Sequence, residues 1–281
     1  MLKHTDNFQK KKDEALEAGF LTDELVSFYE DLFAFQERNT LSGEEYDFSP
    51  FVDSAQLPAL KADSLSFDEK TGGMLVKQLL ELLDIIEKHH PGINTELIRN
   101  AVSENIDSMV KSAGFLLQHD VDNLSAAATE MKTGIDEYIF ILVNWLKPLL
   151  VSMSTPVMEN VDTEEWLAPV CPFCGYLADM GKIVESKDSL RLLHCGLCEH
   201  EWKFPRLTCA ICENTEKETL GFLNTDDESP YRVDYCDNCK GYIKTVRIPK
   251  LQEESRFDLS VENILTTWLD ASALDLGYSR P

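Results

Sequence analysis

All eight cysteines of this 281-residue chain lie between Cys171 and Cys239, and the first 170 residues contain none. They form four Cys-x-x-Cys pairs, which are Cys171/Cys174, Cys195/Cys198, Cys209/Cys212 and Cys236/Cys239. A tight Cys-x-x-Cys turn aims two thiolates at one ion, and a hairpin of roughly twenty residues returns the chain to supply the other two. The spacing therefore predicts two four-cysteine metal sites, one from the first two pairs and one from the last two.

Three other arrangements of these cysteines are less consistent with the sequence. Disulfides suit small secreted domains, and the charged N-terminal stretch contains no apolar segment with a cleavage site. A thioredoxin-like redox pair requires a βαβ context, which four copies flanking hairpins lack. An interleaved, cross-braced pairing is disfavoured because each hairpin already closes its own site.

The metals are expected to be structural at least. Some seventy residues of short, polar strands bury little apolar surface, whereas a structural zinc site supplies on the order of 10–16 kcal/mol of apparent binding energy. Four thiolates suit zinc or a single rubredoxin-type iron, so we expect two ions per chain, either iron or zinc. The choice matters because zinc has no redox chemistry and iron can carry an electron.

The first 165 residues show the apolar period of helices and are predicted to form a helical bundle. Helices are expected over residues 25–33, over residues 74–88, and continuously from an Asn94 cap to Val110. A fourth helix, over residues 135–151, is apolar almost all round and should be the buried helix of the bundle. Residues 42–65 have no clear period and are interpreted as an ordered connector.

Short strand-like runs replace the long helices after residue 153, beyond a linker expected at residues 156–169. Two hairpins are predicted, over residues 180–194 and residues 220–235, and each is bracketed by cysteine pairs. The second pair of each unit is followed by an aromatic strand, at residues 200–204 and residues 241–244. The region is therefore an internal duplication at a spacing of about forty residues.

These patterns predict an α+β fold with two domains, a helical domain at 1–165 and a metal-binding domain at 166–281. The second domain would contain two tandem modules of the rubredoxin or zinc-ribbon type. One amphipathic helix, over residues 259–274, is expected to pack back across both modules.

Other candidate residues receive structural interpretations. His194 and His200 flank the second cysteine pair and are interpreted as strand residues near the site, because eight thiolates already complete two sites. Trp202 and Tyr242 occupy equivalent places in the two repeats and are expected to pack beneath the cysteine turns. No phosphate-binding glycine loop, nucleophile elbow or zinc-protease motif is present, so an enzyme is not expected.

The charge balance of the chain disfavours nucleic acid and membrane surfaces as partners. The chain carries 26 Lys and Arg against 50 Asp and Glu, for a net charge of −24, which repels phosphate backbones and anionic lipid. Between Cys171 and Arg247 there are 10 basic and 13 acidic residues, so the basic stripe of a nucleic-acid binder is missing. The longest apolar run, residues 138–151, is interrupted by Asn144 and Lys147. We therefore expect no membrane insertion and a cytoplasmic location.

Residues around the cysteine pairs form longer motifs. These are Leu193-His194-Cys195-x-x-Cys198-Glu199-x-Glu201-Trp202, Cys209-x-x-Cys212-x-Asn214 and Cys236-x-x-Cys239-x-x-Tyr242-x-Lys244. Together with Cys171-Pro172-x-Cys174-Gly175 and the tail Gly277-Tyr278-x-Arg280, they resemble the formate dehydrogenase accessory protein family, FdhE. The resemblance covers residues 170–280, whereas the N-terminal helices match only in length and general character. Lys240 and the strongly acidic helical half depart from the family pattern.

The resemblance implies a cytoplasmic accessory factor rather than an enzyme. Members of that family bind the catalytic subunit of respiratory formate dehydrogenase, a molybdenum or tungsten enzyme, and are needed for its activity. Rubredoxin-like iron sites are associated with the family, and the ligands here would be all eight cysteines. Two alternative functions are a nucleic-acid-binding zinc-ribbon protein and a rubredoxin-type electron carrier.

Overall fold

The computed structural model describes residues 2–41, 49–224 and 229–280. These residues fold as two compact units. The first unit comprises residues 23–160 with the short segments 2–5 and 173–176, and the second comprises residues 6–22, 161–172 and 177–280. The predicted boundary near residue 165 stays a prediction, and residues 6–22, of which 6–17 are helical, belong to the second unit.

Nine α-helices and six strands occur in the described residues. The helices are α1 His4–Glu17, α2 Asp23–Asn39, α3 Glu69–His89, α4 Glu96–Glu104, α5 Asp107–Leu117, α6 Val121–Glu130, α7 Ile135–Met158, α8 Leu259–Leu265 and α9 Thr267–Asp275. The strands are β1 Ala178–Val184, β2 Leu190–Cys195, β3 Glu201–Lys203, β4 Leu220–Leu223, β5 Tyr231–Cys236 and β6 Tyr242–Ile248.

Helix α3 follows the apolar period expected of it. Its Leu75, Leu79 and Leu82 are completely buried in the first unit. The helix begins where Asp68 accepts a hydrogen bond from the Thr71 backbone N–H at 2.7 Å, which satisfies one of the free donors of the first turn. The predicted helix over residues 74–88 is thus confirmed, with one extra turn at its start.

Helix α7 is the buried centre of the first unit, as expected, but it is longer than the prediction. The predicted end at residue 151 and the linker start at residue 156 are wrong, because α7 continues to Met158 through Pro148 and Pro156. Each proline lacks a backbone N–H and so removes one helical hydrogen bond, and the burial of α7 outweighs this cost. The Ser152 hydroxyl donates to the Pro148 carbonyl at 2.6 Å. Residues 159–169 contain neither helix nor strand.

By length and composition alone, α7 is apolar enough to cross a membrane. However, 78% of its most apolar window is buried inside the fold. Trp145 at its centre is fully buried and donates its indole N–H to the Leu75 carbonyl at 3.0 Å. Such burial is typical of a core helix rather than of a span that faces lipid.

The predicted continuous helix from Asn94 to Val110 is wrong, because the chain breaks into α4 and α5. Asn105 adopts an extended conformation between them, and its side-chain oxygen accepts from the Asp107 N–H at 2.8 Å. Asparagine competes in this way with the helical backbone and starts a new helix.

Helix α6 was not predicted, because its apolar face is short and contains only Leu124 and Ala128 as buried residues. Of the predicted connector, residues 42–48 lie outside the described residues, and the rest contains two short 3-10 turns and a bridge between Val52 and Leu60.

The two cysteine-rich modules share one six-stranded sheet in the order β3-β2-β1-β6-β5-β4. Both predicted hairpins are present, with β1 antiparallel to β2 and β4 antiparallel to β5. The aromatic strands β3 and β6 pair with β2 and β5. A parallel pairing of β1 with β6 joins the modules. Part of the second hairpin's predicted turn, residues 225–228, lies outside the described residues.

The C-terminal helical region packs on the sheet as expected, with α8 on β1 and α9 on β5 and β6. The prediction of one continuous helix is wrong, because the chain breaks at Thr266. The buried Lys244 of β6 accounts for this break, since its ammonium donates to the Asn263 and Thr266 carbonyls at 2.6 and 3.3 Å. It also pairs with Asp270 of α9 at 2.7 Å, so one lysine satisfies the groups that the break exposes.

Replacing Lys244 by methionine should destabilise the second unit strongly. Lys244→Met keeps the stem volume but leaves the Asn263 and Thr266 carbonyls without this donor and removes the buried ion pair with Asp270, which costs about 3–5 kcal/mol of unfolding free energy. Urea unfolding of the metal-loaded protein measures this loss. Lys187→Met, in the exposed β1–β2 turn, is the matched control and should change stability by less than about 0.5 kcal/mol. Equal stabilities for the two variants would contradict this role of Lys244.

Candidate metal centres

The first β-hairpin brings two cysteine pairs together. Cys195 is the last residue of β2 and lies opposite Ala178 at the start of β1, and the loop that contains Cys171 and Cys174 leads into β1. The four sulfurs of Cys171, Cys174, Cys195 and Cys198 all lie within 4.8 Å of one another, and all four residues are buried. We call this group site one.

The second hairpin repeats the arrangement. Cys236 ends β5, Cys239 precedes β6, and Cys209 and Cys212 lie in the loop between β3 and β4. Their four sulfurs also lie within 4.8 Å of one another. We call this group site two. The grouping is sequential, as the spacing predicts, and not interleaved.

The sulfur separations fit a tetrahedral ion and exclude disulfides. All eight cysteines are free thiols. Cys171 and Cys198 are 3.4 Å apart at site one, and the sulfur pairs Cys209/Cys239 and Cys212/Cys236 are 3.7 and 3.9 Å apart at site two. A disulfide measures about 2.05 Å, whereas four sulfurs at 2.3 Å from a central ion are about 3.8 Å apart. Each group could therefore hold one metal ion, and the donor set suits zinc and iron equally.

A left-handed residue follows each of the four cysteine turns. Gly175, Glu199, Glu213 and Lys240 have φ angles of 76°, 62°, 58° and 57°. This geometry lets the N–H of Glu199 donate to the Cys195 carbonyl at 3.0 Å, and the N–H of Glu213 donate to the Cys209 carbonyl at 3.1 Å. Lys240, which departs from the family pattern, thus has a backbone conformation that glycine adopts more easily.

Comparison with known proteins decides the family. A family model described as the central domain of FdhE matches residues 170–206. An FdhE homologue of Aquifex aeolicus is 24% identical over 254 residues, which cover 86% of this chain and 81% of that protein. One of Shewanella oneidensis is 32% identical over 199 residues, which cover 68% of this chain and 65% of that protein, just under two thirds of its length. The chain belongs to the FdhE family. The resemblance stated from the sequence is confirmed.

The fold agrees with a solved FdhE structure. The crystal structure of the FdhE protein from Pseudomonas aeruginosa superposes with a TM-score of 0.57 over 98% of this chain and 93% of that one. The sequence identity is 19%, so this likeness concerns the fold alone. The α+β architecture with a helical N-terminal region and two four-cysteine groups is that of an FdhE protein.

The two sites of this FdhE family member differ in exposure and in their hydrogen bonds. Site one is buried throughout, whereas Cys212 of site two is exposed and Cys239 is half-buried. Two side-chain amides donate to sulfur at site two, Asn214 to Cys236 at 3.6 Å and Asn238 to Cys212 at 3.8 Å. Neither asparagine was predicted as a donor to sulfur, although both lie within two residues of a cysteine.

The backbone also stabilises thiolate charge. Two N–H groups, from Ile211 and Cys212, point at the Cys209 sulfur at 3.4 and 3.5 Å. Burial raises the pKa of the Cys212 thiol, but the Asn214 N–H, the Cys239 thiol and the Asn238 amide together lower that pKa to about 7. Thiolate is the form that binds a metal ion, so these donors favour the ligating state.

His194 and His200 do not join either sulfur group. Both ring nitrogens of His194 contact carboxylates, Asp179 at 2.7 Å and Glu199 at 3.1 Å. Although burial lowers it, these two carboxylates raise the pKa of His194 well above its ordinary value. Residues of α8 complete the cluster, since Ser260 donates to Glu199. The cluster ties the second cysteine turn to the C-terminal helices. His194 is a residue of β2 near the site, as interpreted from the sequence, whereas His200 immediately precedes β3.

The paired aromatic residues are both buried beneath their modules. Trp202 donates its indole N–H to the Ala168 carbonyl at 3.0 Å. Tyr242 donates its hydroxyl to Asp270 at 2.7 Å. Their burial confirms the prediction that both residues pack in the interior.

Glycine in place of Glu213, after the third cysteine turn, should increase the free energy of unfolding. Glu213 is exposed and has a φ of 58°, where a side chain costs about 1–2 kcal/mol. Part of that gain is lost to the greater freedom of glycine in the unfolded chain. Glu213→Gly should therefore raise the unfolding free energy by about 0.5–1 kcal/mol, measured by urea denaturation. The control Glu218→Gly, at an exposed position without positive φ, should lower it, and a decrease in both variants would contradict the strain at Glu213.

Proposed function

We propose that this chain is a cytoplasmic accessory factor that binds the catalytic subunit of a respiratory formate dehydrogenase and supports its activation. Membership of the FdhE family is the observation that carries this proposal. The chain itself is not the enzyme in this proposal. Its buried charged groups support that view, because His194 and Lys244 are fully engaged by structural partners rather than presented to a substrate.

We further propose that all eight cysteines are metal ligands, with one iron or zinc ion at each site. The donor set of four free thiols at tetrahedral separations supports this assignment. Iron at such a site would supply one-electron redox chemistry, and zinc would supply structural stability alone. The protein would hold either metal in the same way, because the two hairpins position the sulfurs and the backbone N–H groups stabilise the thiolate charge.

A nucleic-acid role receives less support from the sheet. The basic side chains of its central strands, Lys182, Lys244 and Arg247, each pair with a carboxylate. Paired cations do not form the continuous basic surface that phosphate backbones require. The net charge of −24 adds a long-range repulsion.

Affinity capture from a bacterium that makes a respiratory formate dehydrogenase tests the proposed function. The tagged chain should retain the catalytic subunit of that enzyme and should not retain an unrelated molybdenum enzyme made in the same cells. Deleting the gene should leave the subunit synthesised but reduce formate oxidation by about tenfold or more. Failure to capture the subunit, together with unchanged formate oxidation, would overturn the proposal.

Site two should release its ion first. Cys212 is exposed there, whereas every ligand of site one is buried, so a chromogenic chelator reaches only one ion without local unfolding. We expect two phases, each of one ion per chain, with rates that differ by about tenfold or more. Cys212→Ser should remove the fast phase and Cys198→Ser the slow one. A single phase that releases both ions would contradict the difference between the sites.

A further inference from the structure

A cavity of about 160 Å³ lies beside site two, within the second unit. Its walls come from strands β2, β4, β5 and β6 and from the loop that contains Cys209. Three arginines line it, Arg191, Arg206 and Arg232, together with a single carboxylate, Asp234. In a chain of net charge −24, this concentration of positive charge is unusual.

Arg191 is the deepest of the three and is incompletely paired. It is 4% exposed, and one terminal nitrogen donates to the Pro205 and Thr208 carbonyls at 3.3 and 2.9 Å. Its other terminal nitrogen is 3.7 Å from Asp234, which is too long for a hydrogen bond. Its Nε has no hydrogen-bond partner in the described part of the chain. Arg191 therefore places in the cavity wall a positive charge that its two carbonyl partners do not neutralise.

Asp234 is too heavily shared to balance the arginines. One of its oxygens lies 2.8 Å from Arg232 Nε, without the alignment of a hydrogen bond, and the other accepts from the Thr245 hydroxyl at 2.7 Å. Burial and the two neighbouring guanidinium groups lower the pKa of Arg191, against the effect of Asp234. The walls therefore carry an excess of positive charge.

The rim of the cavity is apolar and exposed. Leu207 is 58% exposed and Phe222 is 55% exposed, and both line the cavity. The Arg232 guanidinium stacks over the Phe222 ring at 4.9 Å, which holds its planar face against the rim. An anion that fits here would carry apolar groups next to its charge, as a side chain in a peptide does.

We propose that this cavity binds the carboxylate of an acidic peptide segment in a partner protein, with an apolar neighbour of that residue on Leu207 and Phe222. The volume suits one side chain, and the planar guanidinium fork matches a carboxylate in two-pronged geometry. Charge complementarity selects the acidic segment, because this cavity opposes the sign of the chain as a whole. Identifying the partner as the formate dehydrogenase catalytic subunit rests on the proposed function, whereas the carboxylate chemistry does not.

The thiolates of site two offer a rival role for the same arginines. Cys209 forms part of the cavity wall, so the positive charges could balance an anionic metal centre instead of a ligand. The two roles differ in one measurable respect. Charge balance requires that loss of Arg206 or Arg232 weakens metal retention, whereas a carboxylate site requires that metal content stays unchanged.

The test uses the metal-loaded full chain and two fluorescein-labelled peptides, GEEFEEG and its glutamine counterpart GQQFQQG, followed by fluorescence anisotropy at low ionic strength. We expect the glutamate peptide to bind at least about tenfold more tightly than the glutamine peptide. Arg206→Gln and Arg232→Gln should each weaken glutamate-peptide binding by about 10- to 100-fold. The control Arg256→Gln, at an exposed position outside the cavity, should leave it unchanged.

Three results would overturn the carboxylate site. These are equal binding of both peptides, binding that is insensitive to Arg206→Gln and Arg232→Gln, and weakened binding accompanied by loss of metal. Displacement of the peptide by inorganic phosphate more readily than by glutarate, at equal millimolar concentrations, would overturn the assignment to a carboxylate.

A second arm separates this inference from the proposed function. Purified catalytic subunit should bind the wild-type chain and Arg256→Gln but bind Arg206→Gln and Arg232→Gln at least about tenfold more weakly. Equal binding of all four proteins would overturn the cavity as the contact while leaving the proposed function standing. If no protein binds the subunit but the peptide results hold, the proposed function fails and the carboxylate site stands.

Discussion

The parallel pairing of β1 with β6 is the constraint on which the cysteine-rich region depends. The register runs from Met180 opposite Lys244 to Val184 opposite Ile248, and it joins two three-stranded modules into one sheet. A Cβ at Gly181 would lie 3.1 Å from the Thr245 hydroxyl oxygen, so this close approach uses the absence of a side chain. Because both strands begin just after a cysteine turn and run in the same direction, both four-cysteine groups lie at the same end of the sheet.

Local patterns were enough to predict the cysteine groups and much of the bundle. Spacing fixes which sulfurs one hairpin can bring together, and a leucine period such as that of α3 reports directly on burial. The parallel pairing of β1 with β6 could not be predicted from the sequence, because it joins residues more than sixty positions apart and no local motif marks it. The break at Thr266 was missed for a related reason, whereas the break at Asn105 rests on a local contact with Asp107 that the apolar period does not report. At Thr266 the free carbonyls are satisfied by Lys244 from a distant strand, a lysine that the sequence suggests should be exposed.

The duplication in the sequence has not produced two equivalent sites. Site one is enclosed, and its second turn is tied through His194 to the C-terminal helices. Site two has an exposed thiol, two side-chain amide donors and the arginine-lined cavity at its wall. In the proposed function the two sites therefore have different roles. The enclosed site stabilises the sheet, and the open site holds the loop that would meet a partner in the geometry which that contact needs.

The distribution of charge gives such a contact its selectivity. Residues 1–165 carry 31 acidic and 13 basic side chains, and residues 166–281 carry 19 and 13. Central strand cations such as Lys182 and Arg247 are already paired with carboxylates, so they add little attraction at long range. An acidic segment is therefore repelled by most of this protein and is attracted at the cavity, where three arginines outnumber one carboxylate. Weak attraction at one place within a repulsive field favours a single binding orientation, because the wrong encounters are destabilised as the right one is stabilised.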